Sequence, residues 1–112
     1  MVEIPLQALP AQRLNVVLDD QNCTIHIYWR WGRCFMDLSV DDTEIFTGAI
    51  CQNIQAVNQS PSIYFAGLFY FFDTLGDVAP QWDGLGDRWR LFFLSAGETL
   101  ASAAAELAAG GA

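Results

Sequence analysis

Residues 23–40 read CTIHIYWRWGRCFMDLSV, and the fold turns on how they divide. In the first half Cys23, Ile25, Ile27, Trp29 and Trp31 alternate with Thr24, His26, Tyr28 and Arg30. Successive side chains leave a strand on opposite faces, so apolar residues at every second position mark a half-buried strand. Gly32 and Arg33 form a tight break, after which Cys34, Met36, Leu38 and Val40 resume the alternation. The two halves read as a β-hairpin.

The pattern continues in both directions. DDT at 41–43 is a turn, because Asp tolerates turn geometry and bonds to nearby backbone N–H groups. EIFTGAICQNI at 44–54 is a further strand, with Gly48 a candidate bulge. QSPS at 59–62 interrupts the series. IYFAGLFYFF at 63–72 supplies one strand, or two short ones around Gly67, and RWRLFFLS at 88–95 closes it. Ahead of the hairpin, EIPL at 3–6 and RLNVVL at 13–18 add one or two strands, and Pro5 favours an edge position. Six to eight short strands over residues 1–95 point to an all-β domain, a small antiparallel barrel or sandwich. Strand order is not visible in periodicity, so both architectures stay open.

Residues 96–112 differ in character. Ser95 and Glu98 have capping-box spacing, and the Ala/Leu/Glu run that follows favours helix until Gly110 and Gly111. A helix of roughly 14 residues is marginal alone in water, so this Ala-rich tail is expected to pack on its own β domain or on a neighbour, or to fray.

Composition narrows the function. With 112 residues, 53% hydrophobic and 16% charged, the chain is one globular domain rather than a disordered segment. All five basic residues are arginines, against 13 acidic ones, for a net charge of −8. No basic face is available for a phosphate backbone or an anionic bilayer, so neither nucleic acid nor membrane is an expected partner. The N-terminal residues lack a basic stretch followed by an apolar one, and no apolar run approaches the roughly 20 residues of a membrane span. Cys23, Cys34 and Cys51 are odd in number and widely spaced, which reads as reduced, buried thiols.

Catalysis lacks its parts. His26 is the single histidine and sits on the polar side of its strand; lysine chemistry is excluded, and no cysteine pair has CxxC spacing. No catalytic residue, metal or cofactor is expected. The loop DTLGDVAPQWDGLGD at 73–87 tests that conclusion, because it holds Asp73, Asp77, Asp83 and Asp87. Their spacing misses the calcium-loop template, which needs oxygen ligands at positions 1, 3 and 5 and a closing Glu. Gly76–Asp77, Asp83–Gly84 and Gly86–Asp87 are turn pairs, and Pro80 fixes a bend. An acidic loop carrying Trp82 and Leu85 resembles a contact surface, and Trp82, Leu85, Pro80, Asp77 and Asp83 form the candidate partner interface.

The order of these elements resembles the small baseplate plug proteins of contractile-tailed, cyanophage-type bacteriophages. The matching positions are Ile4, Pro5 and Leu6; Trp29; Phe35, Asp37 and Leu38; Asp41 and Asp42; Gly76, Asp77, Pro80, Trp82, Asp83, Leu85 and Gly86; and the closing strand from Arg88 to Leu94. Thr43 stands where the family commonly has Gly, and the hairpin at 31–33 is tighter than usual. The Ala-rich tail is not part of the pattern. The resemblance implies a non-catalytic virion protein at the centre of the tail baseplate, present in several copies. It would contact hub, tube and spike proteins and be assembled in the host bacterial cytoplasm. The competing reading is a stand-alone β-domain module, for a carbohydrate or small molecule in a pocket lined by Trp29 and Trp31, or for calcium at the aspartate loop.

Overall fold

The computed structural model describes residues 2–54, 56–57, 65 and 67–95. Among them are seven strands: β1 (Val2–Ile4), β2 (Ala11–Leu18), β3 (Gln21–Arg30), β4 (Arg33–Val40), β5 (Thr43–Ile50), β6 (Leu68–Asp73) and β7 (Trp89–Leu94). They form two antiparallel sheets, one in the order β2-β3-β4-β5 and one in the order β1-β7-β6.

The four-stranded sheet is a meander held by three turns of one kind. Asp19 and Asp20, Trp31 and Gly32, and Asp41 and Asp42 each supply two consecutive residues at positive φ, between 49° and 73°. This is the two-residue mirror-image turn whose twist matches that of the flanking strands. The register places Cys23 opposite Val40, Ile25 opposite Leu38, Ile27 opposite Met36 and Trp29 opposite Cys34. Every apolar residue of β3 on this face thus meets an apolar residue of β4, and a one-residue slip would turn one set to solvent.

That register has a consequence for Trp31. Arg30 pairs with Arg33, which leaves Trp31 and Gly32 alone as the turn. Trp31 therefore does not share the apolar face of Cys23, Ile25 and Ile27, and it stands 84% exposed. The break falls one residue earlier than Gly32–Arg33, because opposing the apolar pairs costs less than exposing them.

β5 is irregular as expected. Met36 faces Ala49, but Leu38 faces Phe46 and Ser39 faces Glu44, so β5 accommodates two bulges. Gly48, at φ 64°, sits at the first, where its N–H donates to Asp37 Oδ1 at 2.7 Å. Beyond β5 the chain moves to the other sheet: the N–H groups of Ile54 and Val57 donate to the carbonyls of Phe71 and Phe69 (both 2.9 Å). β1, followed by Pro5, is an edge strand of that sheet. β6 begins after Gly67, where an added Cβ would collide with the Phe93 ring.

One core cluster joins the two sheets. Ile25, Ile27, Met36 and Leu38 meet Ile4, Phe71, Leu91 and Phe93 within it. Phe65, Phe69 and Phe93 pack ring on ring with centroids 5.4–5.5 Å apart. Each such side chain contributes roughly 1.5–3 kcal/mol on leaving water. β7 is buried on both sides, since Phe92 and Leu94 form a second small cluster with Tyr70. The sheets do not close into a barrel. Among the described residues β2 has no strand on its outer side, and the two bulges of β5 interrupt the ladder that closure would need. The expected helix of the Ala-rich tail lies outside the described residues.

Candidate functional site

The acidic loop is built around a buried carboxylate. Asp73 ends β6 with its side chain fully enclosed. Arg88 donates to it from Nε (2.7 Å to Oδ1) and Nη2 (2.9 Å to Oδ2), and the backbone N–H groups of Leu75 and Val78 add one bond to each oxygen (2.9 Å). The Arg88 hydrogen bonds and the two amides outweigh burial and hold the Asp73 carboxyl well below the usual carboxylate range. The same pairing raises the Arg88 pKa.

The rest of the loop is tied to this centre. Thr74 donates to the Arg88 carbonyl from its N–H (2.9 Å) and its hydroxyl (2.8 Å). Asn53 accepts from the Asp73 N–H (2.8 Å) and donates to Asp77 Oδ1 (2.6 Å). The Arg88 guanidinium lies 4.4 Å from the centroid of the Trp89 ring, whose indole N–H donates to the Val78 carbonyl (2.9 Å). Gly84 packs directly against that ring, and Gly86 (φ 82°) against the carbonyl of Leu6. A side chain at either glycine would push the loop off the sheet.

The structure sorts the five expected interface residues into two sets. Leu85 is 2% exposed and belongs to the core, and Pro80 is also buried. Trp82 opens a single 3₁₀ turn (Trp82–Gly84) and is half-buried against the core, while Asp77 and Asp83 are exposed. Leu75, 77% exposed, and Val78 are the apolar groups this loop presents to solvent. Of the four aspartates, Asp73 serves the Arg88 pair and Asp77 the Asn53 bond. No group of three or more His, Cys, Asp or Glu among the described residues could hold a metal ion.

Beside the loop stands the tip of the β3–β4 hairpin. A groove of about 220 Å³ is lined by Gly32, Arg33, Cys34 and Cys51 on one side and by residues 78–81 on the other. Trp31, at this tip, makes an edge contact with Phe35 (centroids 6.2 Å apart) and lies 5.5 Å from the Arg30 guanidinium. The hairpin tip and the acidic loop thus form one end of the molecule. Alternation alone does not reveal Trp31 as a surface group. The signal lies in the pairing of apolar positions across Gly32, which leaves no strand position for Trp31. Cys34 and Cys51, under the groove, are buried thiols: burial pushes Cys34 up to about 12 and Cys51 well above its ordinary value.

On the outer face of the four-stranded sheet, Asp37 accepts from the Tyr28 hydroxyl (3.1 Å) and the Gly48 N–H, and lies 3.5 Å from His26 Nδ1. The carboxylate is thereby committed to holding the β5 bulge. Trp29 and Trp31 do not line a common pocket, since Trp29 packs against the core and Trp31 projects from the turn.

A family model described as the cyanophage baseplate plug, Pam3 gp18, matches residues 1–96. The chain belongs to this baseplate plug family. No curated protein matches its sequence. The match to the plug family takes in both sheets, the acidic loop and the hairpin tip, and stops where the Ala-rich tail begins. No helix among the described residues is long and apolar enough to cross a membrane.

Proposed function

We propose that this protein is a structural, non-catalytic component of a phage tail baseplate, seated near the tail axis and docked on hub and tube proteins. The observation that carries the reading is membership of the baseplate plug family over residues 1–96. The end formed by the hairpin tip and the acidic loop is the docking surface. Trp31 and Trp82 supply aromatic contact, Asp77 and Asp83 the charged rim, and Leu85 and Pro80 the support beneath. Aromatic anchors ringed by polar groups are the usual energetic centre of such interfaces. Several copies arranged in the assembled virion, made in the host cytoplasm, complete the proposal; the three buried thiols suit a reducing compartment. The acidic surface repels phosphate, which suits a protein beside the path of DNA without binding it.

The test is reconstitution with purified baseplate hub and tail-tube proteins of the same phage. Trp31→Ala with Trp82→Ala should abolish association while leaving the β-sheet circular dichroism spectrum unchanged. Full binding by the folded double variant would show that this end is not the docking surface. Failure of the wild-type chain to bind any baseplate protein would remove the baseplate role itself.

A further inference from the structure

Among the described residues β2 is an open edge, with the properties of a self-complementary interface. The Trp29 N–H donates to the Pro10 carbonyl, and the Asp41 N–H to the Asn22 carbonyl. Together with the β2–β3 and β3–β4 registers, these bonds fix which way each backbone group points. The even-numbered residues of β2 bond to β3. Ala11, Arg13, Asn15 and Val17 aim their N–H and C=O groups away from the sheet. All four residues are exposed, Val17 at 63%, and no strand among the described residues pairs with them.

Edges left in this state invite strand pairing, and proteins ordinarily block them with bulges, prolines or charge. β5, the opposite edge of the same sheet, has two bulges. β2 has none, no proline, and one charged side chain, Arg13, in a chain of net charge −8. Its inner face is also unfinished, because Leu14 and Val16 touch the core but stay partly exposed.

We propose that β2 pairs antiparallel with β2 of a second copy across a two-fold axis, joining two four-stranded sheets into one of eight strands. The register that pairs all four outward-pointing residues of each edge sets Arg13 of one copy opposite Asn15 of the other, and Ala11 opposite Val17. No like charges face one another. Leu14 meets Leu14 of the second copy on the axis, on the side that faces the core, and Val16 meets Gln12. The pairing satisfies all four outward N–H groups of each edge and covers the two half-exposed apolar side chains. A head-to-tail arrangement of β2 on β5 is blocked by the bulges, so the contact closes at two copies. This surface is separate from the hairpin-tip end and does not depend on the baseplate role.

Sedimentation equilibrium of the purified chain tests the proposal. A contact of one strand pair is small, so dimer should appear as concentration rises from about 1 µM to 200 µM. Arg13→Pro removes an outward N–H that the β2–β3 ladder does not use, and proline is tolerated at such an edge site. The variant should remain folded and monomeric throughout. Leu14→Cys places two thiols across the axis at a non-hydrogen-bonded pair, about 4.5 Å apart at Cα, and mild oxidation should yield a covalent dimer. A chain that stays monomeric at the highest concentration overturns the proposal, whether the edge is idle or accepts an extended segment of another protein. A dimer unaffected by Arg13→Pro and not cross-linked through Leu14→Cys overturns it equally.

Discussion

Arg88 grips both oxygens of Asp73, at 2.7 and 2.9 Å, across the whole length of the acidic loop. The pair lies at the points where the loop leaves β6 and enters β7, so it sets the loop's span as well as its charge. Since Asp73 has a folded-state pKa below its unfolded value of about 3.9, its contribution is complete at neutral pH. That contribution is lost as pH falls from the ordinary carboxylate range toward the lower folded-state value. Thermal denaturation of the wild type should therefore steepen below about pH 4. Asp73→Asn should lower Tm by several degrees at pH 7 and flatten this acid limb. An unchanged acid limb in the variant would show that other carboxylates carry it.

How much of this was legible in the sequence depends on what each residue answers to. Ile25, Ile27, Met36 and Leu38 answer to a local period of two, so the β3–β4 hairpin could be read from spacing alone, while the order of the strands around it could not. Gly48 at the bulge and Pro5 beside an edge strand answer to backbone limits that their residue types state openly. Leu85 could not be placed that way. Its burial arises from the turn that returns it against Trp89, a tertiary contact with no periodic signature. The Asp73–Arg88 pair was hidden for the same reason, since four aspartates in one loop look alike until one of them is enclosed. Trp31 is different: pairing the apolar positions across Gly32 leaves it in the turn, and alternation alone carried it too far.

The two loop glycines should differ in cost. Gly84→Ala brings a Cβ against the buried Trp89 ring, so the loop must lift to admit it, and should cost about 1–3 kcal/mol. Gly86→Ala meets the Leu6 backbone carbonyl and must also hold φ at 82°, so about 2–4 kcal/mol is expected. Urea unfolding of the two variants measures the order. Equal losses would mean that the β1–β2 connection moves aside to admit the new side chain.

The cysteines should be silent in the folded protein. Cys23, Cys34 and Cys51 are buried, and burial raises the pKa of each. The thiolate is the reactive form, so modification by a disulfide reagent at pH 8 should wait for unfolding. All three thiols should then react together, at a rate set by denaturant. Rapid labelling of Cys34 or Cys51 in native buffer would reveal local opening at the groove between the hairpin tip and the acidic loop.

Trp31 sets stability against docking, and its substitution separates the two. A left-handed backbone costs an L residue roughly 1–2 kcal/mol, a penalty that Asn bears more easily through its short polar side chain. Trp31 holds φ at 54° while 84% of its surface meets water, with Phe35 and Arg30 as its ring neighbours. Trp31→Asn should therefore stabilise the isolated protein by about 0.5–1 kcal/mol, since the strain relieved exceeds what a solvent-exposed ring contributes. The same variant should bind hub and tube proteins more weakly, because the ring is the most exposed large apolar group at that end. Chemical denaturation and a binding titration on one preparation read both effects. Loss of stability with unchanged binding would mean that Trp31 serves the hairpin and not the partner.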